Sequence, residues 1–86
     1  MKKQKLPEWF NGQIYDKGDV VVHPINGNEV KLNNLELSMY DFIMGSQMLI
    51  EMMGEKSSKT HTKYLKKGLE WFKNSSFDNH QLLFEL

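Results

Sequence analysis

The chain contains no cysteine. Disulfides, iron–sulfur clusters, thiolate zinc sites and a cysteine nucleophile are excluded with it. Arginine is absent too, so all eleven basic residues are lysine. The planar, bidentate recognition of phosphate, guanine or carboxylate by a guanidinium is therefore closed to this protein. There is no alanine either. That double absence, beside many Lys, Asn, Ile, Phe and Met residues, looks like coding in an AT-rich genome. Net charge is zero, which provides no overall field to draw in nucleic acid or an anionic surface. The longest apolar stretch, residues 39–53, is interrupted by Asp41, Gln47 and Glu51 and falls short of the ~20 apolar residues of a membrane span. At the start, MKKQKLPEWF has basic residues followed by Pro7 and Glu8 but no apolar run, unlike a signal peptide. A cytoplasmic protein with no membrane partner is the expectation.

Chemistry-bearing motifs are also scarce. Gly18, Gly27, Gly45, Gly54 and Gly68 are isolated, so no glycine-rich phosphate loop is formed, and there is no G-x-S-x-G. His23, His61 and His80 are scattered, with no His-Glu-x-x-His or other ligand spacing. Tyr15 with Asp16 and Asp19, or Tyr40 with Asp41, are the acid–base pairings that can be drawn. Tyr40 and Asp41 are adjacent, and on a helix they point about 100° apart. Capping, turn and solvent-facing roles account for these residues. No catalytic residue, cofactor or metal is expected, and the chain reads as a non-enzyme.

What is present organises as one α+β domain of 86 residues. Residues 1–7 are lysine-rich and expected to form a disordered tail, with Trp9 and Phe10 the first anchors. Residues 13–32 form the β-hairpin region. The β-branched Val20-Val21-Val22 favours a strand, His23-Pro24 ends it, and Asn26-Gly27 suits a hairpin turn. Alternation in Glu29-Val30-Lys31-Leu32 marks the return strand, and a third short strand near Ile14 would make a meander. A long helix is predicted over residues 33–54. Asn33 with Glu36 makes a capping box, and Gly54 suits the position after the helix. Ser57 or Ser58 is predicted to cap a second helix over residues 58–73. Its apolar face is His61, Tyr64, Leu65, Gly68, Leu69, Trp71 and Phe72. Residues 77–86 form a short C-terminal element, a helix in preference to a strand. The triplet Glu-Trp-Phe occurs at 8–10 and 70–72 in unrelated surroundings and reads as chance.

The long helix carries the main signal. It holds five of the six methionines, and a 100° step per residue separates two apolar stripes. Leu35, Met39, Phe42, Ile43, Ser46, Leu49, Ile50 and Met53 are expected to face the core. Opposite them lie Leu37, Met44, Met48 and Met52. Gly45 and Ser46 are small, and Gly45 costs up to about 1 kcal/mol relative to alanine in a helix interior, so close approach of another element is expected there. The second stripe is covered either by the chain's own hairpin or by another molecule. Methionine suits adaptable contact surfaces, and a self-complementary patch closes into a homodimer. A second candidate surface is the lysine face of the following helix. Lys59, Lys63, Lys66, Lys67 and Lys73 against Glu70 leave a local excess of +4, an ordinary solvated face or a contact for nucleic-acid phosphates. No aromatic residue interleaves the lysines on that face, and Trp71 lies at the edge of the apolar side.

Residues 18–29 (GDVVVHPINGNE), 32–45 (LNNLELSMYDFIMG) and 67–72 (KGLEWF) resemble small proteins of marine tailed bacteriophages. The resemblance implies a phage or marine-microbial source, with the host cytoplasm as location, and an accessory role. It transfers no activity and assigns no residue a function. The expected action is self-association or binding of another protein; the alternative is a nucleic-acid-binding accessory protein.

Overall fold

A computed structural model describes residues 4–54, 56 and 58–84 of the chain. The architecture is α+β: a two-stranded antiparallel sheet followed by three helices. Strand β1 (Asp19–Val22) pairs with β2 (Glu29–Leu32), with Val21 opposite Val30. Alternation in β2 sends Val30 and Leu32 into the core, while Val20 and Val22 of β1 face outward. The sheet is therefore one-sided, as an antiparallel pair with a single packed face should be. The expected third strand near Ile14 does not form among the described residues; Ile14 is exposed.

The hairpin connection also differs from the simple Asn-Gly turn. It spans six residues, closed by His23 N–H donating to the Asn28 carbonyl at 2.9 Å and Gly27 N–H to the His23 carbonyl at 3.0 Å. Among the described residues none other than glycine has positive φ, so the two-residue turn that needs positive φ at both centres is not used. Instead, the buried His23 ring organises the loop. Its Nδ1 accepts from the backbone N–H groups of Ile25 (3.1 Å) and Asn26 (3.3 Å).

Helix α1 (Asn34–Met53) begins at the predicted capping box. Asn33 Oδ1 accepts from the Glu36 N–H at 2.8 Å, and Glu36 Oε1 accepts from the Asn33 N–H at 2.9 Å. Gly54 ends it. Helix α2 (Lys59–Ser75) starts after Ser58, but the Ser58 hydroxyl does not cap it. That hydroxyl turns back and donates to the Gly54 carbonyl at 2.6 Å, so it ties the two helices' connection together. Ser57, the other expected cap, lies outside the described residues. Helix α3 (Phe77–Phe84) follows directly; residues 85 and 86 of the expected C-terminal element are outside the described range.

The two long helices pack antiparallel. Gly68 of α2 meets Met39 and Ile43 of α1, whereas Tyr64, earlier in α2, meets Phe42, and His61 shares a cleft with Leu49. Met39, Ile43, Phe72, Val30, Leu32 and Leu83 form the buried core. Gly68 makes this approach possible: a Cβ there would lie 2.9 Å from Ile43 Cγ1. Gly45, expected to serve the same purpose, does not. Nothing lies within 4 Å of where its Cβ would be.

The N-terminal residues are a further correction. Residues 1–3 lie outside the described range, but residues 4–7 are held in place. Gln4 bridges the two helices at one end of the pair, donating to Glu36 Oε2 (2.9 Å) and the Ser75 carbonyl (3.1 Å) and accepting from Asn33 Nδ2 (2.7 Å). Leu6, Trp9 and Phe10 pack on the core, and Trp71 Nε1 donates to the Lys5 carbonyl at 2.9 Å. Lysine-rich composition pointed to a tail; long-range contacts from Gln4 and Leu6 override it.

Candidate functional site

The two stripes of α1 divide by position along the helix more than by face. On the first stripe Met39, Ile43 and Ser46 are buried, yet Leu49 and Met53, expected in the core, are exposed. On the second, Leu37 and Met44 are half-buried, whereas Met48 is 61% and Met52 75% exposed. Leu37 packs on the core, and Met44 lines a groove together with Leu83 and Phe84 of α3 and with His23, Pro24 and Ile25 of the hairpin loop. Phe84 lies 6.0 Å from the Tyr40 ring and 5.3 Å from that of Phe72. With eight residues, α3 spans about 12 Å, against about 30 Å for α1. It is too short to reach the far end.

Where α3 stops, a groove of about 630 Å³ opens. Met44 and Met48 of α1 form one wall and Leu65 and Leu69 of α2 lie across from them. Leu83 and Phe84 of α3 and Ile25 of the hairpin loop line the groove as well. Its polar side chains are few: Gln47 and Glu51 on α1, with His23 and His80. The loop residue Ile25 is itself 74% exposed. Sequence periodicity identified Met44 and Met48 but missed the α3 and hairpin-loop contributions. These come from segments about 20 to 40 residues away, and the only local signal was the apolar Leu82-Leu83-Phe84 run.

On another side of the helix pair lies a cleft of about 390 Å³ lined by Asp41, Gly45, Ser46, His61 and Tyr64, among others. Ser46, His61 and Asp41 converge on it, but no hydrogen bond joins these three among the described residues. Asp41 instead accepts from the Tyr15 hydroxyl at 3.2 Å. Desolvation, then the charge of Asp41 and the hydrogen bond to it, raise the Tyr15 phenol above its ordinary value of 10.0. Burial raises Tyr40 above 10.0 as well. Both shifts hold the phenols protonated. The structure thus brings Tyr15 to Asp41, a pairing that adjacency in the sequence did not suggest. The turn residues Asp16 and Asp19 are exposed, and Asp19 Oδ1 accepts from the Val20 N–H at 2.7 Å. Among the described residues no three His, Asp or Glu side chains are placed to hold a metal ion.

On α2, Lys59, Lys63, Lys66 and Lys73 are exposed. Lys67 differs. Half-buried, its ammonium lies 5.9 Å from the ring centroids of both Trp9 and Tyr64. An aromatic residue does therefore interleave the lysine face, delivered by the N-terminal segment. Among the described residues no helix is long and apolar enough to cross a membrane.

No protein-family model, curated protein or solved structure matches the chain. Its own geometry carries the functional reading.

Proposed function

We propose that this chain is a small non-enzymatic protein that acts by self-association or by binding another protein, through the methionine face of α1. One observation carries the reading: Met48 and Met52 are largely exposed beside an apolar groove of about 630 Å³. Apolar side chains scattered singly over a surface need no explanation, whereas a contiguous patch at a groove marks an interaction site. Methionine's flexible, polarisable side chain adapts to a partner's shape. The resemblance to small proteins of marine tailed bacteriophages supports an accessory role in an infected or marine microbial cell. Crosslinking in the producing cell, compared between wild type and Met48→Glu, tests the proposal. Intermolecular products that vanish in the variant are expected. Products that persist unchanged, or none in either strain, overturn it.

A second reading has its own observation, the seating of Lys67 over Trp9 with Lys63 and Lys66 exposed nearby. Single-stranded nucleic acid is bound by such pairings of aromatic faces with lysines along a groove. Binding of an oligonucleotide at about 50 mM salt, weakened when Lys63, Lys66 and Lys67 are neutralised, would support it. Absence of binding at that salt rejects it.

A further inference from the structure

The exposed end of α1 and the groove beside it have complementary shapes on one molecule. Over residues 48–53 the helix is apolar nearly all round: Met48, Leu49, Met52 and Met53 are all exposed. This end is a knob. The groove begins at Met48, one turn before Met52, so knob and hole are neighbours. A surface carrying both side by side meets the requirement for a two-fold contact, in which each copy's knob enters the other's hole. Such an arrangement closes at two copies and leaves no free knob to propagate a filament.

The chain exposes more surface than a folded monomer of its mass is expected to. A folded monomer of 10.1 kDa is expected to expose about 5,300 Å², and this chain exposes 6298 Å². The difference is roughly 1,000 Å². A standard interface buries about 800 Å² per partner. The radius of gyration, 12.8 Å, likewise exceeds the roughly 12 Å of a compact chain of this length. Zero net charge leaves no long-range repulsion between copies.

We infer that the occupant of the groove is a second copy of this chain, in a symmetric dimer whose Met48 and Met52 side chains insert reciprocally between α1, α2 and the hairpin loop. The inference rests on the protein-binding reading above and names its partner. Sedimentation equilibrium of the purified full chain tests it over roughly 1 to 100 μM, the range in which an interface of micromolar affinity populates both states. The wild type is expected to dimerise. Met52→Glu on the knob and Ile25→Lys on the groove rim are each expected to weaken the dimer at least about 30-fold, as loss of a central anchor does. Both residues are at least 74% exposed, so the circular dichroism and thermal unfolding of the monomer should be unchanged. Mixing the two variants is the discriminating step. The mixed pair keeps one native knob-in-groove contact and sets Glu against Lys at the other. It is expected to associate more tightly than either variant alone. A wild-type monomer at about 100 μM, variants that dimerise like wild type, or a mixture no tighter than its components each overturn the dimer. Met48-dependent crosslinks in the cell beside a monomeric purified chain would overturn the dimer alone. Absence of both would overturn the broader reading as well.

Discussion

The two parts of α1 are both rich in apolar residues and have opposite fates. From Asn34 to Ser46 the helix is gripped on three sides: α2 at Met39 and Ile43, the N-terminal segment at Ser38 and Phe42, and α3 at Tyr40. From Gln47 to Met53 no residue is fully buried. Apolar content does not explain the difference, since the exposed part is the more apolar of the two. What distinguishes them is where the neighbours sit: the ring contacts from the N-terminal segment and α3 fall at Phe42 and Tyr40. The first half is a core element and the second is an exposed apolar surface. One helix thereby supplies both stability and the candidate interface.

Truncating one methionine in each half would break this comparison most sharply. Met39 is 0% exposed, and Met39→Ala is expected to cost about 2–5 kcal/mol through lost transfer energy and a cavity. Met52→Ala should stay within about 0.5 kcal/mol. Urea denaturation at low protein concentration checks both; equal costs would remove the distinction. Gly68 and Gly45 then offer an opposite-sign pair. Gly68→Ala forces a methyl against Ile43 Cγ1 and is expected to destabilise by about 1–3 kcal/mol. Gly45→Ala meets open space and should stabilise by up to about 1 kcal/mol. Thermal unfolding of the two variants should move in opposite directions.

The start of the gripped half depends on its cap. Asn33→Ala removes the acceptor for Glu36 N–H and the donor to Gln4, with an expected loss of about 1 kcal/mol. The smallest effect is on pH dependence. Tyr15 and Tyr40 have raised values in the fold. Above pH 10.0 the unfolded phenols ionise while the folded ones retain their protons. The stability contribution is thus complete below 10.0 and is lost as pH rises through the folded values. Denaturant midpoints should fall in that alkaline window, and Tyr40→Phe should make the fall shallower.

Much of the secondary structure was legible because its causes are local. The Asn33–Glu36 box, Gly54, the Val20–Val22 run and the alternation of residues 29–32 act within a few residues of themselves. Misreadings occurred where distant segments meet. Gln4 and Leu6 looked like tail until Glu36, Ser75 and the core held them. Gly45 and Gly68 are equivalent in a helical pattern, and only the crossing point of α1 and α2 separates them. Gly18 looked like an ordinary turn glycine, yet a Cβ there would clash with the Leu32 carbonyl oxygen and Asn33 Cα, where the chain passes against the junction of β2 and α1.

The candidate site shows the same division. Sequence alone determined that α1 carries two apolar stripes, that methionines crowd its second half, and that neither cysteine nor arginine chemistry is open to the protein. Periodicity and composition suffice for such statements. Only the tertiary structure decided that Met48 and Met52 stay exposed, that Ile25, Leu65 and Leu83 complete a groove beside Met44, and that Trp9 is brought beneath Lys67. Those outcomes depend on the lengths and crossing points of elements far apart in the chain, which no local pattern encodes.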